Sequence, residues 1–440
     1  MKQSSFLVVC AVLVVGVVPA SAQVSRPERP YRGLFRGTGA EAPAARELTL
    51  GVWVGGGYDD NLFAQTAFVG DEDTWVSGGF GEVLADLAYT QNTERVNFGA
   101  SLATDNRYVP NFAGRNYVGS HSASIGVSTQ VRRNGRLRLN QEVTYQPFLA
   151  FGFFPSLGVA AVGDADAPSP NFATPFDESF LYRTTADYTH QVSRRGSLGF
   201  EYEYQLTDFL DTDNDLGVQT AGTRYIHEVA RGVGIRIGYQ YSAGRYYAAD
   251  LERTIRNHML DLGVDYRRAL SFSRQTMLSF GAGTGLVKEL GGTQFLVVGD
   301  ALLTHEMGRS WALALAYNRG INYVQTLSEP YLSNAVTARL GGLLGRRVEL
   351  RFEAGSASGN VGFGETGDDG FVTHTAGSTV TVGLTRHLAL VGMYAFYHHG
   401  FESGVALPDG LAPEADRHTV QASLSIWLPL YQRGTFNASR

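Results

Sequence analysis

The sequence predicts an all-β fold: a transmembrane antiparallel up-and-down β-barrel of about 18 strands, with short periplasmic turns and long extracellular loops. Three observations predict it. Apolar and polar residues alternate with a period of two almost without interruption from residue 47 onward. The composition is rich in glycine (53), phenylalanine (25) and tyrosine (22), yet the mean hydropathy is only −0.11, too polar for a helical membrane protein of this size. Connections between the alternating segments are themselves alternately short and long.

The first element is an export signal. Lys2 gives the positive start, and Phe6 to Val18 form an apolar run of about a dozen residues, short for a membrane span. Pro19 breaks it, and Ala20-Ser21-Ala22 offers a cleavage site after Ala22. An uncleaved anchor helix is the alternative. Cys10, the single cysteine, lies inside this segment behind the bulky Val9, which argues against a lipoprotein. The mature chain therefore has no disulfide or thiolate metal site. The expected organisation is signal peptide 1–22, periplasmic segment 23–46, barrel 47–431 and periplasmic tail 432–440.

Strands are expected near 47–58, 78–91, 95–105, 118–131, 136–148, 178–192, 197–209, 222–231, 233–245, 255–268, 274–287, 293–306, 310–325, 333–344, 347–359, 371–385, 387–400 and 416–431. The alternation is clean in many of them. Trp311, Leu313, Leu315 and Tyr317 take turns with Ala312, Ala314, Ala316 and Asn318. Leu198, Phe200, Tyr202 and Tyr204 interleave with Gly199, Glu201, Glu203 and Gln205. Val420 to Leu430 does the same with Gln421, Ser423, Ser425 and Trp427. Glutamates set between aromatics do not suit a dry core; they suit a wall with lipid on one side and water on the other. Segments 222–231 and 333–344 are weak, which leaves 16 strands as the alternative count. A soluble propeller would need a blade repeat of about 40 residues, and the sequence has none.

Short, arginine-bearing turns fall at 132–136, 193–197, 308–310, 345–347 and 385–387, with Asn134-Gly135 a strong hairpin signal. Longer loops are expected at 59–76, 106–117, 149–177, 210–221, 245–254, 326–332, 360–370 and 401–415. The 149–177 loop, apolar at Phe151, Phe153 and Phe154 and then rich in Asp and Pro, is expected to fold into the mouth and narrow it. Tyr145, Phe148, Tyr204, Tyr246, Tyr247, Tyr394, Phe396 and Tyr397, at strand ends, are read as interfacial girdles, with sugar-stacking platforms as the alternative.

The candidate functional surface is the lumen. The alternation assigns to it Glu82, Asp86, Glu142, Asp187, Glu201, Glu203, Glu228, Asp261, Asp265, Asp300, Glu349 and Glu353, with Arg138, Arg183, Arg224, Arg236, Arg267 and Arg351 opposing them. The acids outnumber the bases, so a water-filled lumen would weakly favour cations. The competing reading is that these charges pair across strands and only stabilise the wall. A register error of one residue would reverse any strand.

No catalytic constellation stands out, and no enzyme activity, cofactor or metal is expected. The ten histidines are scattered. His398-His399 could mark a rim site, but an interfacial or loop-facing pair is the simpler reading. Asp211-Thr212-Asp213-Asn214-Asp215-Leu216-Gly217 partly resembles a calcium loop, but its glycine is one place late and Gly222 stands where a glutamate ligand belongs. It is read as a solvated loop, as are Asp59-Asp60 and Asp71-Glu72-Asp73. A formal charge of −6 without a basic patch argues against nucleic acid as a partner.

At Val52 to Phe63 the chain reads Val-Trp-Val-Gly-Gly-Gly-Tyr-Asp-Asp-Asn-Leu-Phe, and its closing strand runs from Arg417-His418-Thr419 to Trp427-Leu428-Pro429-Leu430. Both ends resemble the β-barrel porin 2 family of outer-membrane proteins. The chain departs from the usual ending, because Tyr431 is followed by Gln432 to Arg440, which would make the assembly signal internal. The resemblance implies an outer-membrane barrel and a role, in some members, in exopolysaccharide export. The expected function is a porin-like channel for small solutes or an exported polysaccharide. The alternatives are a barrel-embedded lipid or sugar hydrolase and a plugged structural or assembly barrel. Expected partners are outer-membrane lipid, lipopolysaccharide and the barrel assembly machinery, with a homo-oligomer by porin analogy.

Overall fold

The computed structural model describes residues 44–61, 77–112, 115–147, 178–210, 215–248, 251–270, 275–289, 292–308, 310–322, 330–362, 370–405, 407 and 412–435. Among these, 18 strands form one sheet. In chain order they are β1 Ala44–Asp59, β2 Gly78–Asn92, β3 Val96–Phe112, β4 Arg115–Arg132, β5 Gly135–Gln146 and β6 Ser179–Gln191. Next come β7 Gly196–Phe209, β8 Leu216–Ala230, β9 Val233–Ala248, β10 Leu251–Ala269, β11 Thr276–Glu289 and β12 Gly292–Met307. The last six are β13 Trp311–Asn322, β14 Tyr331–Leu344, β15 Val348–Val361, β16 Gly370–Thr385, β17 Leu388–Phe401 and β18 Glu414–Thr435.

Each strand pairs antiparallel with its sequence neighbours, and β1 also pairs with β18. The sheet is a closed barrel with no free edge, so every strand finds backbone partners on both sides, as a membrane interior requires. The 16-strand alternative fails because both weak segments are fully paired: β8 lies between β7 and β9, and β14 between β13 and β15. The ends are longer than predicted, since Ala44 pairs with Thr435 and so carries β1 and β18 past 47 and 431.

Cross-strand register fixes the two faces. Val54, Leu102, Ile125, Leu139, Phe200, Ile237, Leu262, Val336, Phe352 and Leu424 are all exposed and share one face. The facing set is polar and charged. In a closed barrel the apolar face must be the outer one, where lipid replaces water. Barrels of this strand number leave room for an aqueous lumen.

Short connections sit at one end of the barrel: 93–95, 133–134, 192–195, 231–232, 308–310, 345–347 and 386–387. Gly232, Gly308 and Gly345 adopt positive φ there (73°, 65° and 76°), which lets the tight turns close. The long connections are at the other end, which also carries two-residue ones at 113–114, 249–250 and 290–291. Two predicted loops are corrected. Residues 106–117 and 245–254 are mostly strand, since β3 runs to Phe112, β4 begins at Arg115, and only 249–250 separate β9 from β10. β8 and β14 likewise begin inside the predicted loops 210–221 and 326–332. The physical reason is common to all four. Beyond the bilayer neither face meets lipid, so the alternation fades while the backbone pairing continues. The 149–177 loop lies outside the described residues, as do residues 1–43 and 436–440.

Candidate functional site

The inner face gathers its charges into separate patches. On β5 to β8, register sets Arg138 opposite Asp187, Asp187 opposite Glu201, Glu142 opposite Arg183, and Thr185 opposite Glu203. Arg183 donates from Nε to Glu203 Oε1 at 2.8 Å, and its Nη2 lies 2.8 Å from the same oxygen. Arg138, Glu142, Arg183, Asp187, Glu201, Glu203 and Arg224 surround a recess of about 580 Å³ in the wall. Glu142 and Glu201 make no ion pair with a described residue, so their charge is open to the lumen.

The second patch lies on β8 to β12 and centres on Arg236. Its Nε is 2.7 Å from Asp261 Oδ2, an ion-pair contact whose angle is not that of a hydrogen bond. Its Nη1 donates to Asp265. Arg224 Nε approaches Asp261 at 3.4 Å. The guanidinium lies across β10 and β11, and glycine makes this possible. A Cβ at Gly281 would stand 2.8 Å from Arg236 Nη1 and 3.0 Å from Asp300 Oδ1, and one at Gly283 would stand 2.8 Å from Asp261 Oδ1. Asp300 faces Gly281 in register and joins the same patch. Three carboxylates thus share one well-placed guanidinium and the edge of a second.

A third patch spans β18, β2 and β3. Arg107 donates to Glu82 Oε1 through Nε at 3.2 Å and Nη2 at 2.6 Å, and stacks over Phe80 at 4.6 Å. Gln421 donates to the other oxygen of Glu82. Asp86 stands opposite Gly51 on the same face. On β15, Arg351 Nη2 donates to Glu349 at 3.0 Å along its own strand, and Arg339 Nε approaches Glu353 at 3.7 Å. Glu228, at the end of β8, accepts from the Gly232 N–H at 2.9 Å and so belongs to a turn more than to the pathway. Arg267 has its backbone place on β10, and its side chain lies outside the described ones.

The mouth at the long-loop end is crossed by an apolar cluster. Phe209 of β7, Tyr331 of β14 and Phe371 of β16 are buried together with Val405, and Val361, Phe401 and Leu407 pack on them. Tyr331 and Phe371 meet edge to face at 5.2 Å. β7 and β14 are seven strands apart, so the cluster bridges the lumen and is not a wall contact. Val405 and Leu407 belong to the β17–β18 connection, and His399 anchors that connection through a hydrogen bond with the Ala412 carbonyl at 2.9 Å. The constriction among the described residues therefore comes from this connection, whereas the sequence pointed to 149–177.

His398 and His399 do not form one site, because they alternate. His399 is on the inner face, while His398 is on the outer face, stacked on His374 at 5.5 Å and hydrogen-bonded to Asp416 at 2.8 Å. His121, His258 and His418 are also outward, beside Tyr145, Tyr241 and Phe396. Tyr145, Tyr204, Tyr247, Tyr394 and Phe396 are on the outer face as girdle residues must be. Tyr246 and Tyr397 are corrected to the inner face, where both are buried, because one step along a strand reverses the side. Phe148 lies outside the described residues, as do 211–214 of the acidic loop; Leu216 and Gly217 open β8, and Gly222 is a strand residue opposite Glu201.

Sequence reading missed the most deeply buried ion pair among the described residues. Asp59, fully buried, accepts from Arg417 Nε at 2.8 and 3.0 Å and from Nη2 at 2.6 Å, and also from the Thr419 hydroxyl at 2.9 Å. The Asn61 N–H donates to Asp59 Oδ1 at 3.0 Å, and the Asn61 side chain donates to the Asp416 carbonyl at 2.9 Å. Asp60 accepts from the His418 N–H at 2.6 Å. The Tyr-Asp-Asp-Asn segment is thus the lock that joins the first strand to the last. The signal available was a polar triplet immediately after an unbroken alternation.

No protein-family model and no curated protein matches the sequence. Among solved structures, the barrel is similar to OpdQ of Pseudomonas aeruginosa, with 10% identity, 88% of this chain and 98% of that chain covered, and a TM-score of 0.44. It is similar to the siderophore receptor PirA of the same organism, with 10% identity, 87% and 80% coverage, and a TM-score of 0.44. A third similar structure is the FrpB iron transporter of Neisseria meningitidis, with 9% identity, 88% and 83% coverage, and a TM-score of 0.45. The resemblance to the β-barrel porin 2 family rests on the two terminal segments alone.

Proposed function

We propose that this chain is an outer-membrane, porin-like channel for small hydrophilic solutes with a preference for cations. The observation that carries this reading is the pairing of faces: a closed 18-strand barrel whose outer face is apolar and whose inner face carries carboxylates in excess of arginines. Water must fill such a lumen, since Glu142 and Glu201, with no ion pair among the described residues, cannot sit in a dry one. An excess of fixed negative charge then raises the local cation concentration.

The test is single-channel recording of the refolded protein in a planar bilayer under a salt gradient. The expected result is a steady conductance that scales with salt and a reversal potential of the sign for mild cation preference. A variant with the mouth cluster opened, Val405→Asp, is recorded beside the wild type. Conductance in the variant alone places a closed mouth over an intact pore. No conductance in either would sink the channel reading in favour of a plugged or enzymatic barrel. If the pathway serves an exported polysaccharide, added oligosaccharide will interrupt the current while small neutral solutes will not.

A further inference from the structure

The outer face of the β9–β10 hairpin carries the cross-section of a membrane in its residue order. From the 231–232 turn, the outward residues of β9 are Val233, Ile235, Ile237, Tyr239, Tyr241, Ala243 and Arg245. On β10 the same levels hold Val264, Leu262, Leu260, His258 and Arg256. Ile235, Ile237, Leu260, Leu262 and Val264 are exposed, as a surface against hydrocarbon must be. Above them His258 meets the Tyr241 ring at 5.1 Å and shares a 2.8 Å hydrogen bond with the Tyr239 hydroxyl. This aromatic group marks the interface.

Arg245 and Arg256 come next, on the loop side of the girdle. Arg256 pairs in register with Ala243, two places from Arg245, so the two arginines are diagonal neighbours. Lys288 of β11 holds the register position directly opposite Arg256. Like charges at such positions destabilise a sheet unless an anion offsets them. Both arginines are exposed, and neither makes an ion pair or hydrogen bond with a described residue. Arg319 of β13, just past Tyr317, is by contrast committed to the Val297 carbonyl at 2.8 Å and Asn334 at 2.7 Å. Glu252, opposite Tyr247, holds the diagonal register position on the loop side of Arg245, as Arg256 does on the membrane side.

We propose that Arg245 and Arg256 form a site for the phosphate-bearing headgroup of an outer-leaflet lipid, whose acyl chains lie against Leu260, Leu262, Ile235 and Ile237. The depth decides for a lipid over a free anion, because the charges stand directly above a hydrocarbon-facing row and not on a loop tip. The site rests on the outer-membrane reading but not on the open state of the pore.

The experiment is native mass spectrometry of the full-length protein in detergent with diphosphorylated lipid A and, separately, its dephosphorylated form. The wild type is expected to favour the phosphorylated lipid by about tenfold or more, the scale of two charge-assisted contacts, and Arg245→Gln/Arg256→Gln to lose that preference. Arg194→Gln/Arg195→Gln, in the turn at the opposite end, should keep it. Equal binding of both lipids by the wild type, or an unchanged preference in the double variant, overturns the site. Displacement of the lipid by inorganic phosphate at a matching concentration would assign a free anion and overturn the lipid. Heat-dependent gel mobility reports that each variant is folded, and the single variants serve if the double one is not. Conductance of the double variant, expected to match the wild type, keeps failure of the site distinct from failure of the channel.

Discussion

Arg417 grips Asp59 through both carboxylate oxygens across the seam where the last strand meets the first, with neither side chain open to solvent. The two residues are 358 positions apart in the chain. This contact forms only when the barrel closes, and the bonds from Thr419 to Asp59, from the Asn61 side chain to the Asp416 carbonyl and from the His418 N–H to Asp60 form with it.

Removing one partner should therefore loosen closure. Asp59→Asn leaves the Arg417 guanidinium buried without its counter-charge, a loss of about 3–5 kcal/mol for a buried pair. The expected outcome is a lower urea midpoint for the folded barrel, followed by heat-dependent gel mobility, with little change in conductance for the molecules that do close. An unchanged midpoint would show that the strand ladder alone holds the seam.

Arg236 neutralises part of a group made of Asp261, Asp265 and Asp300. Arg236→Met should leave those carboxylates facing the lumen unbalanced and move the reversal potential further toward cation preference. Gly281→Val, which drives a side chain into the guanidinium, should act in the same direction. If neither variant shifts selectivity, this patch serves the wall and lies off the ion path.

The apolar bridge at the mouth predicts a conductance change without a change of charge. Phe209→Ala removes the β7 side of a cluster that otherwise reaches Tyr331 and Phe371 through Val405 and Leu407. Single-channel current should rise, and the open-state noise should increase as the β17–β18 connection loses its seat. A current equal to the wild type would show that solutes pass beside the cluster.

Much of this was legible beforehand. Strand number follows from a period-two pattern that each strand carries by itself, and the assignment of Glu82, Asp86, Glu142, Asp187, Glu201, Glu203, Arg236, Asp261, Asp265, Glu349, Arg351 and Glu353 to the lumen is an expectation drawn from the same pattern. The failures also have a common cause. At strand ends such as 106–117 and 245–254 no lipid imposes the alternation, so pairing continued where the pattern had stopped. Tyr246 and Tyr397 were misplaced because an aromatic near a strand end fits a girdle on one side and a plugged mouth on the other.

The sequence by itself determined that each strand carries two unlike faces, because alternation is a local property set by the geometry of one strand. Only the tertiary structure decided who meets whom. That Arg236 lies over Gly281 beside carboxylates of β10 and β12, that Asp59 finds Arg417, and that Val405 crosses to Phe209 all depend on closure and register between segments that no single strand specifies. Alternation names a side chain's face; its neighbours on that face are set only when the sheet has rolled up and joined its ends.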